Sequence, residues 1–293
     1  MTPKPETFVY KTVGSCEIHA DLLRPEVKTK TVRTIVYIHG GALIMGKRSG
    51  MSMAQVSRYL KAGFYIVSID YRLAPETRLP AIIEDVSDAF RWVRDKGREI
   101  FGVDPENIAV AGSSAGGYLT LMTGICVKPR PRALVSFYGY GDIVGDWYAK
   151  PDPFYCKEPA VSREAALLSV GKEPVTQGDD GRDRFYLYCR QQGLWPKEVA
   201  GWDPVTERAK FTPYCPLQNV SSAYPPTILL HGDKDTDVPY EQSAMMASAL
   251  SRAGVENSLI TIEGGGHGFD YEDNVDTRAA MDAVMAFLRE QMK

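Results

Sequence analysis

The stretch AVAGSSAGGYLTL, Ala109–Leu121, sets two adjacent serines among glycines and alanines. A serine hydroxyl becomes a nucleophile when the chain turns sharply to expose it and a base takes its proton. Such a strand-to-helix turn brings backbones close, so only small residues fit two positions to either side. Centred on Ser114 the pattern is G-x-S-x-G, with Gly112 and Gly116 as flanks. Centred on Ser113 the flanks become Ala111 and Ala115, and both glycines leave the register. Ser114 is therefore the candidate nucleophile and Ser113 a filler beneath the turn.

The base must come from His19, His39, His231 or His267, the chain's four histidines. His267 lies in EGGGHGF, between a strand pattern and the last helix pattern, where glycines let a loop reach across a sheet edge. His19 falls in an early strand. His39 and His231 close buried strand patterns at HGG and HGD and are expected to organise loops. A carboxylate must hold the base in one tautomer. LLHGDKDTDVPYEQS offers Asp233, Asp235 and Asp237 directly after a strand. The spacing H-G-x-x-D-x-x-V-P selects Asp235, with Asp237 as the alternative. Donors for a developing oxyanion are expected from the backbone amides of Gly41 and Ala42 in IHGGALIMG, and of Ala115 at the start of the helix after Ser114.

These groups need a scaffold that brings distant loops to one edge. RTIVYIHGG, FYIVSIDYRL, NIAVAG, RALVSFYG, PTILLHG and NSLITIEG are strand patterns, most of them continuous apolar runs. Helix patterns alternate with them: SMAQVSRYLKAG, LPAIIEDVSDAFRWVRDK, AGGYLTLMTGIC, YEQSAMMASALSRAG and DTRAAMDAVMAFLREQM. That alternation implies a doubly wound, mostly parallel α/β sheet. Two earlier strand patterns, TFVYKTV and CEIHADLLRP, precede it, and alternation in the second predicts a half-exposed antiparallel edge.

Residues 141–216 break the alternation. They hold the helix patterns SREAALLSVG and RDRFYLYCRQQG among Pro-, Gly- and Asp-rich loops, and they are aromatic. The reading is a helical cap, 141–216, inserted into a core formed by 1–140 and 217–293. Most of its aromatics are expected to form the cap's own core, with a minority facing a ligand. Leu43, beside the Gly41–Ala42 turn, and the cap residues Trp147, Tyr155, Tyr188 and Trp202 are taken as substrate-binding.

Composition limits the rest. The 293 residues carry a net charge of −3, 44% are hydrophobic, and no Lys/Arg block occurs, which argues against a nucleic-acid or anionic-membrane partner. No run approaches about 18 uninterrupted apolar residues, and the N-terminus lacks the apolar stretch of a secretory signal. The five cysteines are scattered without a C-x-x-C pair, so neither a zinc site nor a disulfide framework is indicated. A cytoplasmic protein with no cofactor and no metal is expected, and a homo-oligomer is left open.

HGGALIMG, DYRLAPE, LPAIIEDVSDAFRWV, DPENIAVAGSSAGG and GGHGF occur in the order seen in the α/β-hydrolase superfamily. The chain resembles its hormone-sensitive-lipase-like carboxylesterases. That resemblance implies the order Ser114, Asp235, His267 for a catalytic triad and a structural role beneath the site for Tyr71–Glu76. Three departures stand out. Ala42 replaces the third glycine of the usual H-G-G-G. Little chain precedes the HGG strand where the family has an N-terminal cap. HGDKDTDVPYEQS resembles the acid loop of prolyl-oligopeptidase-like hydrolases. The expected function is hydrolysis of a carboxylic ester of a small, largely apolar molecule through an acyl-enzyme. Biosynthetic acyl transfer, lactone hydrolysis or cyclisation on the same triad is the first alternative, and a non-hydrolytic small-molecule binder the second.

Overall fold

A computed structural model describes residues 4–25, 27, 32–178 and 181–293. The strands are β1 (Glu6–Val13), β2 (Cys16–Leu23), β3 (Arg33–Ile38), β4 (Phe64–Ile69), β5 (Ile108–Ser113), β6 (Ala133–Phe137), β7 (Thr227–Gly232) and β8 (Asn257–Ile262). They form one sheet in the order β1-β2-β4-β3-β5-β6-β7-β8. β2 runs antiparallel to β1 and β4, and the pairs from β4 through β8 are parallel. The order reverses around β3, with β4 on one side and β5 on the other. In open α/β sheets such a reversal opens a crevice at the strands' carboxyl ends.

The helices are α1 (Met53–Lys61), α2 (Leu79–Phe101), α3 (Ala115–Cys126), α4 (Asp146–Ala149), α5 (Arg163–Leu167), α6 (Asp183–Gln192), α7 (Trp195–Ala200), α8 (Glu241–Arg252) and α9 (Val275–Gln291). Strand side chains alternate between two buried layers. Ile35 and Tyr37 of β3 join Val56 and Tyr59 of α1 and Val284 and Leu288 of α9. Val36 and Ile38 join Ile82 and Val86 of α2, Leu119 of α3 and Leu250 of α8. Burial of both faces explains why these strands read as unbroken apolar runs.

Two local expectations change. The antiparallel edge is β1, not β2. β2 is largely buried between β1 and β4, because the chain before it folds back to cover its outer side. Helix α2 runs on to Phe101, past the lysine at 96, and stops where Gly102 takes a left-handed conformation (φ 73°) and its N–H caps the last turn.

Between β6 and β7 stand α4, α5, α6 and α7 with short 3₁₀ turns. Of these, the sequence pattern foresaw α5 and α6. α4, at four residues, is too short to show a helical period, and α7 follows α6 after Gly193, where the sequence reading placed a loop. Among the described residues no helix is long and apolar enough to cross a membrane.

Candidate functional site

Ser114 stands between β5 and α3 with φ 57° and ψ −120°. A non-glycine residue there carries strain on the order of 1–3 kcal/mol. The surroundings enforce it: the Ser114 N–H donates to Phe137 O at 2.9 Å, and Ser114 O accepts from Tyr118 N–H at 2.9 Å. A Cβ on Gly112 would overlap the carbonyl of Gly116, and one on Gly116 would overlap the carbonyl of Ile38. The flanking glycines are thus steric requirements of the turn. Ser113 is buried, its Oγ 3.3 Å from the Tyr37 hydroxyl on β3.

The loop after β7 is built around Asp235. Its Oδ1 accepts the N–H groups of Asp237 (2.8 Å) and Val238 (2.9 Å), and its Oδ2 lies 2.8 Å from His267 Nδ1 and 3.3 Å from His231 Nε2. Burial works to raise the Asp235 pKa, but the hydrogen bonds from both imidazoles outweigh it and hold this carboxyl well below its usual range. His231 also contacts Val238 O (3.0 Å) and Ser243 Oγ (2.7 Å), which fits a loop-organising residue. His39 likewise stacks on Tyr71, with ring centroids 4.3 Å apart, and has Nδ1 at 2.7 Å from Gly40 O.

His267 Nε2 lies 3.1 Å from Ser114 Oγ. With its proton on Nδ1 facing Asp235, the imidazole presents the Nε2 lone pair to the serine hydroxyl. Burial alone would lower the His267 pKa. The Asp235 hydrogen bond, then the charges of Asp237, Asp235 and Asp270, reverse that and raise it above the ordinary histidine value. Behind the imidazole sits Tyr138, centroid to centroid 4.6 Å, whose hydroxyl donates to buried Asp270. Asp270 in turn accepts from Gln55 Nε2 at 2.7 Å.

Across the opening, Gly41, Ala42 and Leu43 all have positive φ (104°, 55° and 61°). This coil turns the amides of Gly41 and Ala42 away from the local ladder, while Gly41 O accepts from Ile44 and Met45 N–H. Among the described residues, the amides of Gly41, Ala42 and Ala115 have no protein acceptor. Three donors without acceptors beside a serine are suited to an oxyanion. The coil is held from two sides. Trp195 Nε1 of α7 donates to Ala42 O at 2.8 Å. Arg182 donates to Ile44 O (2.6 Å) and Ala74 O (2.5 Å) and pairs with Glu76, which ties Tyr71–Glu76 beneath the site.

A cleft of about 450 Å³ opens over Ser114 and His267. Met45, Tyr138, Asp183, Tyr186, Asp237 and Tyr271 form much of its wall. None of the five residues expected to bind substrate lines it. Leu43 is fully buried, and its carbonyl accepts from Ala74 N–H. Trp147 stacks on Tyr148 at 3.6 Å, Trp202 meets Phe211 edge-on, and Tyr188 packs on the core. Tyr155 touches a wall residue, its hydroxyl donating to Asp237 Oδ1.

The organising group is Arg190, 1% exposed, which pairs with Asp237 (2.6 Å) and Asp152 (2.5 Å). Tyr148, Tyr155, Tyr186 and Trp147 surround its guanidinium. A buried cation draws π faces toward itself, so Trp147, Tyr148 and Tyr155 gather on Arg190 and only Tyr186 of this group also reaches the cleft wall. Sequence reading missed Tyr186 and Asp183 of α6, Tyr138, and Asp237 as a wall residue. The one signal for Asp237 was its place as the alternative acid.

Two family models match the chain in parts. The BD-FAE model matches residues 20–147 and the prolyl oligopeptidase family model residues 185–293. The non-reducing polyketide synthase Preu6 of Preussia isomera is 28% identical over 95% of this chain and 14% of its own length. The esterase LipC of Mycobacterium tuberculosis (strain ATCC 25618 / H37Rv) is 29% identical over 91% of this chain and 60% of its own. The chain therefore spans less than two thirds of either relative. An alpha/beta hydrolase superfamily protein from Enterococcus faecalis superposes with a TM-score of 0.74 at 21% identity, covering 98% of this chain and 99% of that one.

Proposed function

We propose that the chain is a serine hydrolase of the α/β-hydrolase superfamily, cleaving a carboxylic ester of a small, largely apolar molecule, a reading supported by the two partial family matches and the shared fold. The observation that carries this reading is His267, with Nδ1 at 2.8 Å from Asp235 and Nε2 at 3.1 Å from Ser114 Oγ, opposite three amides without acceptors. Ser114 attacks the ester carbonyl as its proton passes to His267 Nε2. Asp235 holds the imidazole in that tautomer and stabilises the imidazolium. The tetrahedral oxyanion settles against the amides of Gly41, Ala42 and Ala115, where one donor is worth about 10²–10³ in kcat. The imidazolium then protonates the leaving alkoxide. Water, activated by the same His267, releases the acid from the Ser114 ester.

In this reading residues 141–216 are a helical cap on a core of 1–140 and 217–293. Its support is threefold: Trp195 holds Ala42, Gly178 bridges Gly46, and Asp183 and Tyr186 reach the cleft wall. p-Nitrophenyl acetate or butyrate should be hydrolysed with a Ser114-bound acyl group detectable by mass after rapid acid quench. Turnover without an acyl-enzyme, or turnover that survives Ser114→Ala, would contradict the reading.

Likeness to polyketide synthases over nearly the whole chain favours one second reading, in which the acyl-enzyme passes to a nucleophile other than water. Added alcohols separate the two. Ester products exceeding free acid at millimolar alcohol would support transfer, and free acid alone would support hydrolysis.

A further inference from the structure

Asp237 is the most heavily coordinated carboxylate on the cleft wall. Its Oδ1 accepts the hydroxyls of Tyr155 (2.8 Å) and Tyr186 (2.5 Å) and Arg190 Nη1 (2.6 Å). Three donors fill that oxygen. Its Oδ2 has one neighbour of note, His267 Nε2 at 3.3 Å. In the tautomer that serves Ser114, Nε2 carries no proton, so a lone pair faces a lone pair. With His267 neutral, no donor among the described residues reaches Oδ2. The side chain is 17% exposed and lines the cleft. Holding Arg190 and two tyrosines needs only one oxygen, which an asparagine would also supply. The second, unmatched oxygen beside the reacting atoms asks for a donor brought by the ligand.

We propose that Asp237 is a specificity-determining residue whose Oδ2 accepts a hydrogen bond from a hydroxyl on the carbon adjacent to the one that bears the leaving oxygen of the ester. The inference rests on the esterase reading. A leaving alkoxide must come within hydrogen-bond reach of His267 Nε2 to be protonated. Oδ2 is adjacent to that nitrogen, so a hydroxyl one carbon along spans the gap, and the favoured leaving group is a vicinal diol. A neutral donor fits better than a cation. Arg190 already compensates the Asp237 charge, and Lys47 and Asp183 on the same wall carry opposite signs. The contact has little force in the resting site and becomes available when the alcohol portion is seated.

The test compares two esters of one acid, 2-hydroxyethyl butyrate and 2-methoxyethyl butyrate. They differ in a single donor, and p-nitrophenyl butyrate serves as reference. Wild type should favour the hydroxy ester in kcat/KM by about tenfold or more, the scale of a hydrogen bond to a charged group. Asp237→Asn keeps an oxygen for Arg190 and the tyrosines and turns an amide donor to the cleft. It should bring the ratio to near one or invert it, since the amide can donate to the ether. Where the Asn chain does not fold, Asp237→Glu must lower the ratio at least about threefold, because it moves the oxygen by one methylene. Equal wild-type rates on the two esters overturn the proposal, as does a folded variant with the wild-type ratio. Turnover of the p-nitrophenyl ester alone overturns it while the esterase reading stands. Loss of all three activities in wild type overturns both.

Discussion

Ser114, His267 and Asp235 meet at distances that permit proton transfer without rearrangement. Ser114→Ala should lower kcat by about 10³-fold or more, with thermal stability nearly unchanged, because alanine adopts the same constrained turn with the same Cβ. Ser113→Ala should retain most activity, since that hydroxyl meets only Tyr37. A reversed pair of results in an ester assay would put the nucleophile one residue earlier. The pH profile follows from what faces the imidazole: Asp235 on one nitrogen, Asp237 and Ser114 on the other, Tyr138 against the ring and Asp270 behind it. These carboxylates favour the imidazolium and raise the pKa, while catalysis needs the neutral base. Activity should therefore be low in acid and rise through a value above the usual 6.5 or so. A kcat/KM limb below that value would contradict this charge arrangement. These residues were legible because each is marked by its immediate neighbours: glycines at two positions either side of Ser114, the H-G-x-x-D-x-x-V-P spacing around Asp235, and the glycines before His267.

At the scale of elements, the parts that position the site differ in how well they could be foreseen. Strands β3, β5 and β7 and the helices between them were plain, because burial on both sheet faces leaves unbroken apolar runs. The wall of the cleft was not. Whether an aromatic faces ligand or core depends on Arg190, whose pairing with Asp152 and Asp237 spans distant parts of the chain and leaves no local pattern. Arg190→Met should destabilise the protein by about 3–5 kcal/mol, since it strands two carboxylates in a largely buried setting. Urea melts at neutral pH would measure this, and a change below about 1 kcal/mol would show the cluster to be dispensable. Helix α7 acts on the site through one bond, Trp195 Nε1 to Ala42 O. Trp195→Phe keeps a ring against Tyr148 and Tyr140 and removes the donor. The loss is on the order of 1 kcal/mol, so kcat should fall about fivefold with KM nearly constant. An unchanged kcat would free the Gly41–Ala42 coil from dependence on the cap.

For the whole molecule, the cleft decides what enters and the buried carboxylates decide the pH range over which it stands. A cleft of about 450 Å³ walled by Tyr138, Tyr186 and Tyr271 suits compact esters. Acetyl-to-hexanoyl p-nitrophenyl esters should exceed palmitoyl by at least about tenfold in kcat/KM, as each ill-fitting methylene costs about 1–3 kcal/mol. Equal rates on palmitoyl would mean that the walls open. Against burial, which opposes ionisation, Arg182 and the Gly171 N–H hold the Glu76 pKa below its usual value, as the two imidazoles do for Asp235. Carboxyls lowered in the folded chain stabilise it above their unfolded pKa, roughly 4, and lose that contribution as pH falls through the folded values. Thermal unfolding temperature should thus hold from neutrality to about pH 5 and fall steeply below about pH 4. A flat profile to pH 3 would count against these pairings. The central claim is that one serine, Ser114, is the nucleophile, and a fluorophosphonate probe with peptide mapping tests it most directly. The account requires a single label on the peptide carrying Ser114, retained in Ser113→Ala and lost in Ser114→Ala. Labelling of the Ser114→Ala protein at Ser113 or elsewhere, or a wild-type enzyme that hydrolyses esters yet takes no label, would contradict it.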